Sequence, residues 1–174
     1  MPEIISRQGR ALSRLVYLLI AAGAFVLDQV TKGVVERRIP PFETIPVIPH
    51  FFNLTMTKNP GAAFGLFADS PAAWKTVFLV LVSALLIAAV VGVVWRSRKL
   101  DWHSGVGLSL ILGGAISNLL DRIRFGRVVD FIDLYVRSYH WYTFNLADTA
   151  IVIGAVLLIC RVLFAERNTP AQES

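Results

Sequence analysis

The chain has 174 residues, of which 55% are hydrophobic and only 17% charged, which is too few polar residues to cover a soluble domain of this size. The net charge is +5, but the basic residues flank apolar runs and do not alternate with aromatics along one stripe, which favours lipid headgroups over nucleic acid as the partner. The single cysteine, Cys160, excludes an internal disulfide and a cysteine-cluster metal site.

Four apolar stretches are long enough, or nearly so, to cross a bilayer, which takes about 20 residues per helix. They predict an all-α membrane protein with one integral domain, 1–174, and spanning helices at about 15–33, 72–95, 106–122 and 146–164. Arginines before the first stretch also fit a signal peptide, but apolar residues resume after Asp28, which favours an uncleaved helix.

The connections predict the orientation and the outer face. Lys and Arg divide almost evenly between the two sides, but the short second loop has three basic residues in the four positions 96–99, which favours both termini in the cytoplasm. On the opposite, periplasmic side, prolines followed by an alternating run in 39–70 predict a small extended or β-like platform. The connection 123–145 is rich in aromatic residues, which suits the headgroup level of a membrane.

Placing an ionisable residue in or beside a membrane helix costs roughly 2.5–3.5 kcal/mol on insertion scales, so its presence there indicates a structural or functional role. The predicted topology gathers these and other polar groups near one membrane face. They are Asp28 and Lys32 of helix one, Asn118, Asp121 and Arg122 of helix three, and Asn145 and Asp148 at the start of helix four. Asp28 and Lys32 are four residues apart and can neutralise each other. Asp130 and Asp148 come from separate segments, and neither has an obvious cationic partner at helical spacing.

Two neighbouring carboxylates cannot both ionise readily, so such a pair can activate water and protonate an amide carbonyl, as in aspartic proteases. Both aspartates also have a purely structural interpretation. Asp148 can complement a helix dipole, and Asp130 can be an ordinary group at the membrane interface. A protease, a proton-coupled transporter or channel subunit, and a structural assembly factor therefore stay open. A transporter predicts polar groups across the bilayer and an inverted repeat, neither of which is evident. Scattered histidines predict no metal and no cofactor.

Five segments, in order, resemble those of the lipoprotein signal peptidase family, also called signal peptidase II. They are LDQVTK at 27–32, KNPGAAFG at 58–65, GGAISNLLDR at 113–122, VVDFI at 128–132 and FNLAD at 144–148. Together they are highly specific, although any one alone is weak. Two positions depart from the family pattern, with Ser117 where glycine is usual and Gly65 where serine is usual.

The resemblance implies an aspartic endopeptidase that cuts diacylglyceryl-modified prolipoproteins just before the lipidated cysteine, with Asp130 and Asp148 as its catalytic dyad. Supporting or substrate-binding residues would be Asp28, Lys32, Asn59, Gly61, Asn118, Asp121, Arg122 and Asn145. It implies a bacterial cytoplasmic (inner) membrane enzyme whose site lies near the outer leaflet boundary, in contact with membrane lipids. The cyclic peptide globomycin would inhibit it, and one chain holds the whole site, so a monomer is expected. Residues 51–64 are expected to hold the substrate.

Overall fold

Four long helices form most of the fold in the computed structural model, which describes residues 2–41, 43–61, 72–97 and 100–165. They are α1 (Pro2–Arg38), α2 (Ala72–Arg96), α3 (Trp102–Phe125) and α4 (Leu146–Ala165). Each contains a segment apolar and long enough to cross a membrane: Ser13–Arg38, Trp74–Arg96, Trp102–Phe125 and Leu146–Phe164. The prediction of four such helices is confirmed within these residues.

Two helices extend beyond the apolar runs that predicted them, for local reasons. α1 continues past residue 33 to Arg38 because its last turns bury Val35, which packs against the sheet. α3 begins at Trp102, and not near 106, because the Asp101 carboxylate accepts a hydrogen bond from the backbone N–H of Ser104 at 3.1 Å and caps the helix. Its other end is capped by Gly126, whose φ of 64° is left-handed.

A small antiparallel sheet lies at one end of the helices, in the order β1 (Thr44–Ile48), β2 (Phe52–Asn59), β3 (Val128–Val136) and β4 (Tyr139–His140). The platform predicted in 39–70 is the β1–β2 hairpin. The aromatic connection 123–145 supplies β3 and β4, which were not predicted as strands from the sequence. The β2–β3 register sets Thr57 opposite Asp130 and Asn59 opposite Val128.

An apolar cluster holds the sheet on the end of α1. It consists of Val35, Ile39, Met56, Val129 and Phe131. Because Val129 and Phe131 point into this cluster, the alternation of the strand turns Asp130, which lies between them, to the opposite face. The cluster therefore fixes the direction in which Asp130 leaves the sheet.

Helix α3 packs against the other three helices, whereas among the described elements α2 contacts α3 alone. Glycines allow the closest approaches. A Cβ added to Gly114 would lie 2.5 Å from the carbonyl oxygen of Ala147 in α4, and one added to Gly154 would lie 2.5 Å from that of Gly107 in α3. Small residues at helix contacts are typical of membrane bundles, where close backbone packing replaces the hydrophobic driving force.

Candidate active site

A cavity of about 450 Å³ opens where α3 ends, α4 begins and β3 passes between them. Its polar wall is formed by Asn59, Arg122, Asp130 and Asp148. Facing them are the aromatic rings of Trp141, Tyr142 and Phe144, together with Ile151, Val152 and Ile153 of α4. The two carboxylates singled out in the sequence thus line one cavity, whose wall is mostly apolar with one polar side.

Asp130 is fixed by two side-chain amides. Its Oδ2 accepts a hydrogen bond from Asn59 Nδ2 at 2.9 Å, and its Oδ1 accepts one from Asn145 Nδ2 at 2.7 Å. The residue is only 2% exposed. This burial, with the negative charge of Asp148 as the next cause, raises the pKa of the Asp130 carboxyl to about 6.

Asp148 lies in the first turn of α4 and forms a reciprocal cap with Asn145. The backbone N–H of Asp148 donates to Asn145 Oδ1 at 2.9 Å, while Asp148 Oδ2 accepts the backbone N–H of Asn145 at 3.3 Å. Its other oxygen, Oδ1, accepts a hydrogen bond from Asn118 Nδ2 at 2.8 Å. Asp148 therefore lies at the helix N-terminus, where the sequence predicted that it can complement the helix dipole, and the same carboxylate also lines the cavity.

Two asparagine side chains join the carboxylates into one network. Asn145 Nδ2 lies 2.7 Å from Asp130 Oδ1 and 3.4 Å from Asn118 Oδ1. Asn118 in turn donates to Asp148. Asn59 is oriented by the backbone two residues further along, because its Oδ1 accepts the N–H of Gly61 at 2.8 Å and so turns its Nδ2 towards Asp130.

Behind this network lies a buried charge cluster centred on Lys32. Its Nζ is 2.6 Å from Asp28 Oδ2, 2.7 Å from Asp121 Oδ2 and 2.9 Å from Asn118 Oδ1. Asp28 is fully buried and Lys32 is 4% exposed. The Asp28–Lys32 pair predicted from their spacing is present, and Asp121 joins it from α3, which the spacing alone did not indicate.

Gln29 and Ser117 complete the cluster, although neither was predicted from the sequence to have a role in the site. The Ser117 hydroxyl is fully buried, donates to Asp28 Oδ2 at 2.7 Å and accepts from Gln29 Nε2 at 2.9 Å. The other oxygen of Asp28 accepts the backbone N–H of Ala147 at 2.9 Å, directly beside Asp148. The serine at a position usually occupied by glycine was the one signal of this contact.

Arg122 lines the cavity from the end of α3, and its Nη1 donates to the backbone oxygen of Asn118 at 3.2 Å. All ten residues predicted for the site therefore lie in the cavity wall or in the hydrogen-bond network behind it. In the segment 58–65, positions 62–65 lie outside the described residues. Across the described ranges, no three His, Cys, Asp or Glu side chains form a group that could hold a metal ion.

A second polar cluster anchors the aromatic side of the cavity. Asp133 is buried and accepts from Asn53 Nδ2 at 2.8 Å, and one of its oxygens lies 2.9 Å from His140 Nδ1. The His140 ring also stacks on Tyr135, with 4.9 Å between ring centroids. Because Trp141 follows directly in the chain, this cluster holds the start of the aromatic wall.

With this geometry established, comparison with known proteins identifies the family. The family model described as "Signal peptidase (SPase) II" matches residues 14–164. The chain belongs to the signal peptidase II family. The resemblance seen in the five sequence segments is confirmed, and membership makes the chain a protease of a membrane-enzyme family.

Individual relatives are similar in sequence to this chain along most of their length. The lipoprotein signal peptidase of Solibacter usitatus (strain Ellin6076) is 45% identical over 149 residues, which cover 86% of this chain and 91% of the relative. That of Syntrophus aciditrophicus (strain SB) is 43% identical over 155 residues, or 88% and 96% of the two chains. A solved bacterial membrane enzyme, determined in meso at 2.3 Å resolution, is 32% identical with a TM-score of 0.81 and covers 91% of this chain and 94% of its own.

Proposed function

We propose that the chain is an aspartic endopeptidase that removes the signal peptide from diacylglyceryl-modified prolipoproteins, cutting just before the lipidated cysteine. Asp130 and Asp148 act as its dyad. The observation that carries the proposal is that these two carboxylates, from separate segments, line one cavity and share an amide network. The names of the relatives support the prolipoprotein substrate.

The pair supports hydrolysis without a covalent intermediate. One carboxylate accepts a proton from water as the water oxygen attacks the scissile carbonyl carbon, and the other donates a proton to the carbonyl oxygen. The tetrahedral intermediate then collapses with cleavage of the C–N bond and protonation of the leaving amine. Asn59, Asn118 and Asn145 hold both carboxylates in place for these transfers, and preorganisation of this kind lowers the barrier.

The cavity also suits a lipid-modified substrate. Along α4 its apolar side is formed by residues such as Val152 and Ile153, which are 61% and 49% exposed and so can contact lipid. Acyl chains of the substrate can remain in the bilayer beside this helix while the peptide bond reaches the polar side of the cavity. Arg122 and Asn59, on the polar side of the cavity, position the peptide, and the β1–β2 hairpin provides its platform; residues 62–64 of the predicted platform segment 51–64 lie outside the described residues.

We infer that both termini are cytoplasmic and that the cavity lies near the outer leaflet of the bacterial inner membrane. In a Cys160→Ser background, Ser138→Cys tests the β3–β4 turn and His103→Cys tests the start of α3. A membrane-impermeant maleimide added to intact spheroplasts is expected to label position 138, and position 103 only after lysis. Labelling of position 103 alone in intact spheroplasts contradicts this orientation.

Two further expectations follow from a site contained in one chain. Globomycin, as a cyclic peptide, competes with substrate for the cavity, so it is expected to raise the apparent KM without changing kcat.

The active species is a monomer, and cleavage per molecule is expected to be independent of enzyme concentration in detergent. A rate that rises with the square of enzyme concentration contradicts this.

The decisive experiment uses purified protein in detergent and a lipid-modified prolipoprotein, with cleavage followed by gel shift. Wild type is expected to cut, whereas Asp130→Asn and Asp148→Asn are expected to remain folded and inactive. Asp101→Asn, a carboxylate at the far end of α3, is the matched control and is expected to cut normally. If wild type fails on a verified substrate but carries protons into liposomes, the transporter class is favoured instead.

A further inference from the structure

The two carboxylates of the cavity have unequal surroundings. Each accepts two hydrogen bonds, Asp130 from the side-chain amides of Asn59 and Asn145, and Asp148 from the Asn118 amide and the backbone N–H of Asn145. They differ in the backbone that carries them, because Asp130 lies in a β-strand. Asp148 lies in the first turn of α4, where the aligned peptide dipoles favour a negative charge. This difference favours the ionised form at Asp148 more than at Asp130.

A relay from Lys32 adds to the difference. The Lys32 ammonium donates to Asn118 Oδ1 at 2.9 Å, and Nδ2 of the same amide donates to Asp148 Oδ1 at 2.8 Å. A cation bound at an amide oxygen polarises the amide and strengthens its N–H as a donor. The charge of Lys32 therefore acts on Asp148 through a single side chain.

Both carboxylates that pair with Lys32 also accept hydrogen bonds from other groups. Asp28 is held by the Ser117 hydroxyl and the Ala147 N–H, and Asp121 accepts from Gln29. Lys32 thus uses its three N–H groups on Asp28, Asp121 and Asn118, and Asn118 is the one that leads to the cavity. The other charged groups around Asp148 are Arg122 of α3, which favours its ionised form, and Asp130 of β3.

We infer that Asp148 is the ionised general base, that Asp130 is the protonated general acid, and that Lys32 is a positioning residue that acts on Asp148 through Asn118. This inference rests on the proposed function and adds the direction of proton flow to it. The pKa of Asp130, raised to about 6 by burial and then by the Asp148 charge, agrees with its holding a proton at mildly acidic pH.

The proton transfers balance. Water attacks the carbonyl carbon and passes one proton to Asp148, while the Asp130 proton moves to the carbonyl oxygen. When the C–N bond breaks, Asp148 returns its proton to the leaving amine. Asp130 then recovers a proton from one hydroxyl of the intermediate, which leaves a carboxylic acid and restores both side chains.

Infrared spectroscopy at pH 5 locates the proton directly. The stretching band of a protonated carboxyl is measured in wild type, Asp130→Asn and Asp148→Asn, each as a difference from the double variant. The band is expected in wild type and in Asp148→Asn, where burial alone still keeps Asp130 protonated, and it is expected to be missing in Asp130→Asn. Its loss in Asp148→Asn, its presence in Asp130→Asn, or its absence from wild type overturns the assignment.

The pH dependence of kcat/KM tests the role of Lys32. Lys32→Gln removes the charge and keeps an amide donor, so the acidic limb, which reports ionisation of Asp148, is expected to move up by about one pH unit. Asp121→Asn removes a negative charge next to Lys32 and is expected to move the limb down, which keeps the test available if Lys32→Gln fails to fold. Loss of rate with an unmoved limb in both variants overturns the role.

The outcomes separate this inference from the function on which it rests. Wild type is assayed in the same series on the same lipid-modified prolipoprotein. If wild type does not cleave it, the proposed function fails. If wild type cleaves but the infrared band belongs to Asp148, the protease assignment stands and only the assignment of acid and base is reversed.

Discussion

Replacing Gly114 by alanine would place a methyl carbon 2.5 Å from the carbonyl oxygen of Ala147 and 3.0 Å from a side-chain carbon of Ile151. Ordinary contacts begin near 3.4 Å, so the first turn of α4 would have to move by roughly 0.9 Å. That turn carries Asp148. The overlap is with backbone, which has little freedom to rotate away, so we expect the dyad to be displaced.

The expected cost has two parts. Overpacking of a tight interior contact lowers the free energy of unfolding by about 1–3 kcal/mol. A catalytic group misplaced by about 1 Å costs on the order of 100-fold in rate. Gly114→Ala is therefore expected to lower both the melting temperature in detergent and kcat/KM on a lipid-modified prolipoprotein.

Gly92→Ala is the matched control. It lies in α2, where an added methyl group meets nothing within 4 Å, so stability and cleavage are expected to be unchanged or slightly improved. Gly114→Ala with wild-type stability and wild-type kcat/KM would refute the close α3–α4 contact as a determinant of the site. Equal losses in both variants would show that the effect is not specific to this contact.

Three further predictions concern neighbouring groups. Because burial and the Asp148 charge raise the pKa of Asp130 from 3.8 to about 6, the folded chain holds this proton more tightly than the unfolded chain. This stabilisation, about 3 kcal/mol, is complete below pH 4 and is lost as pH rises through 6, so the melting temperature falls across that window unless Asp130 is replaced by Asn. Ser117→Ala removes a hydrogen bond to buried Asp28 and is expected to cost about 1.5–3 kcal/mol, measured by denaturation, while cleavage persists. His140→Ala frees the start of the aromatic wall and is expected to raise KM several-fold with kcat nearly unchanged, and steady-state kinetics that show the reverse would contradict this.

The sequence predicted the helices well because a bilayer demands long apolar runs, and each such run is a local pattern. It also predicted the Asp28–Lys32 pair, since a spacing of four residues places both on one helix face. Both carboxylates of the cavity were selected because they come from separate segments and neither has an obvious cationic partner. The orientation in the membrane and the single domain stay predictions.

Contacts between distant segments were not predictable in the same way. Ser117 and Asp28 are 89 positions apart, and nothing in either local segment indicates that one hydroxyl completes the environment of that carboxylate. Strand β3 was missed because its aromatic and apolar residues also suit a membrane interface, and only pairing with β2 makes it a strand. Gly65, the other departure from the family pattern, lies outside the described residues.

The most direct test of the central claim, that Asp130 and Asp148 together hydrolyse a prolipoprotein, is mass spectrometry of the cleavage products with kcat/KM for wild type and the two Asn variants. Wild type is expected to release a fragment that begins at the lipidated cysteine, and each variant is expected to lose about 100-fold to 10,000-fold in kcat/KM while remaining folded. Cleavage at another bond, or normal cleavage by both variants, would contradict the claim.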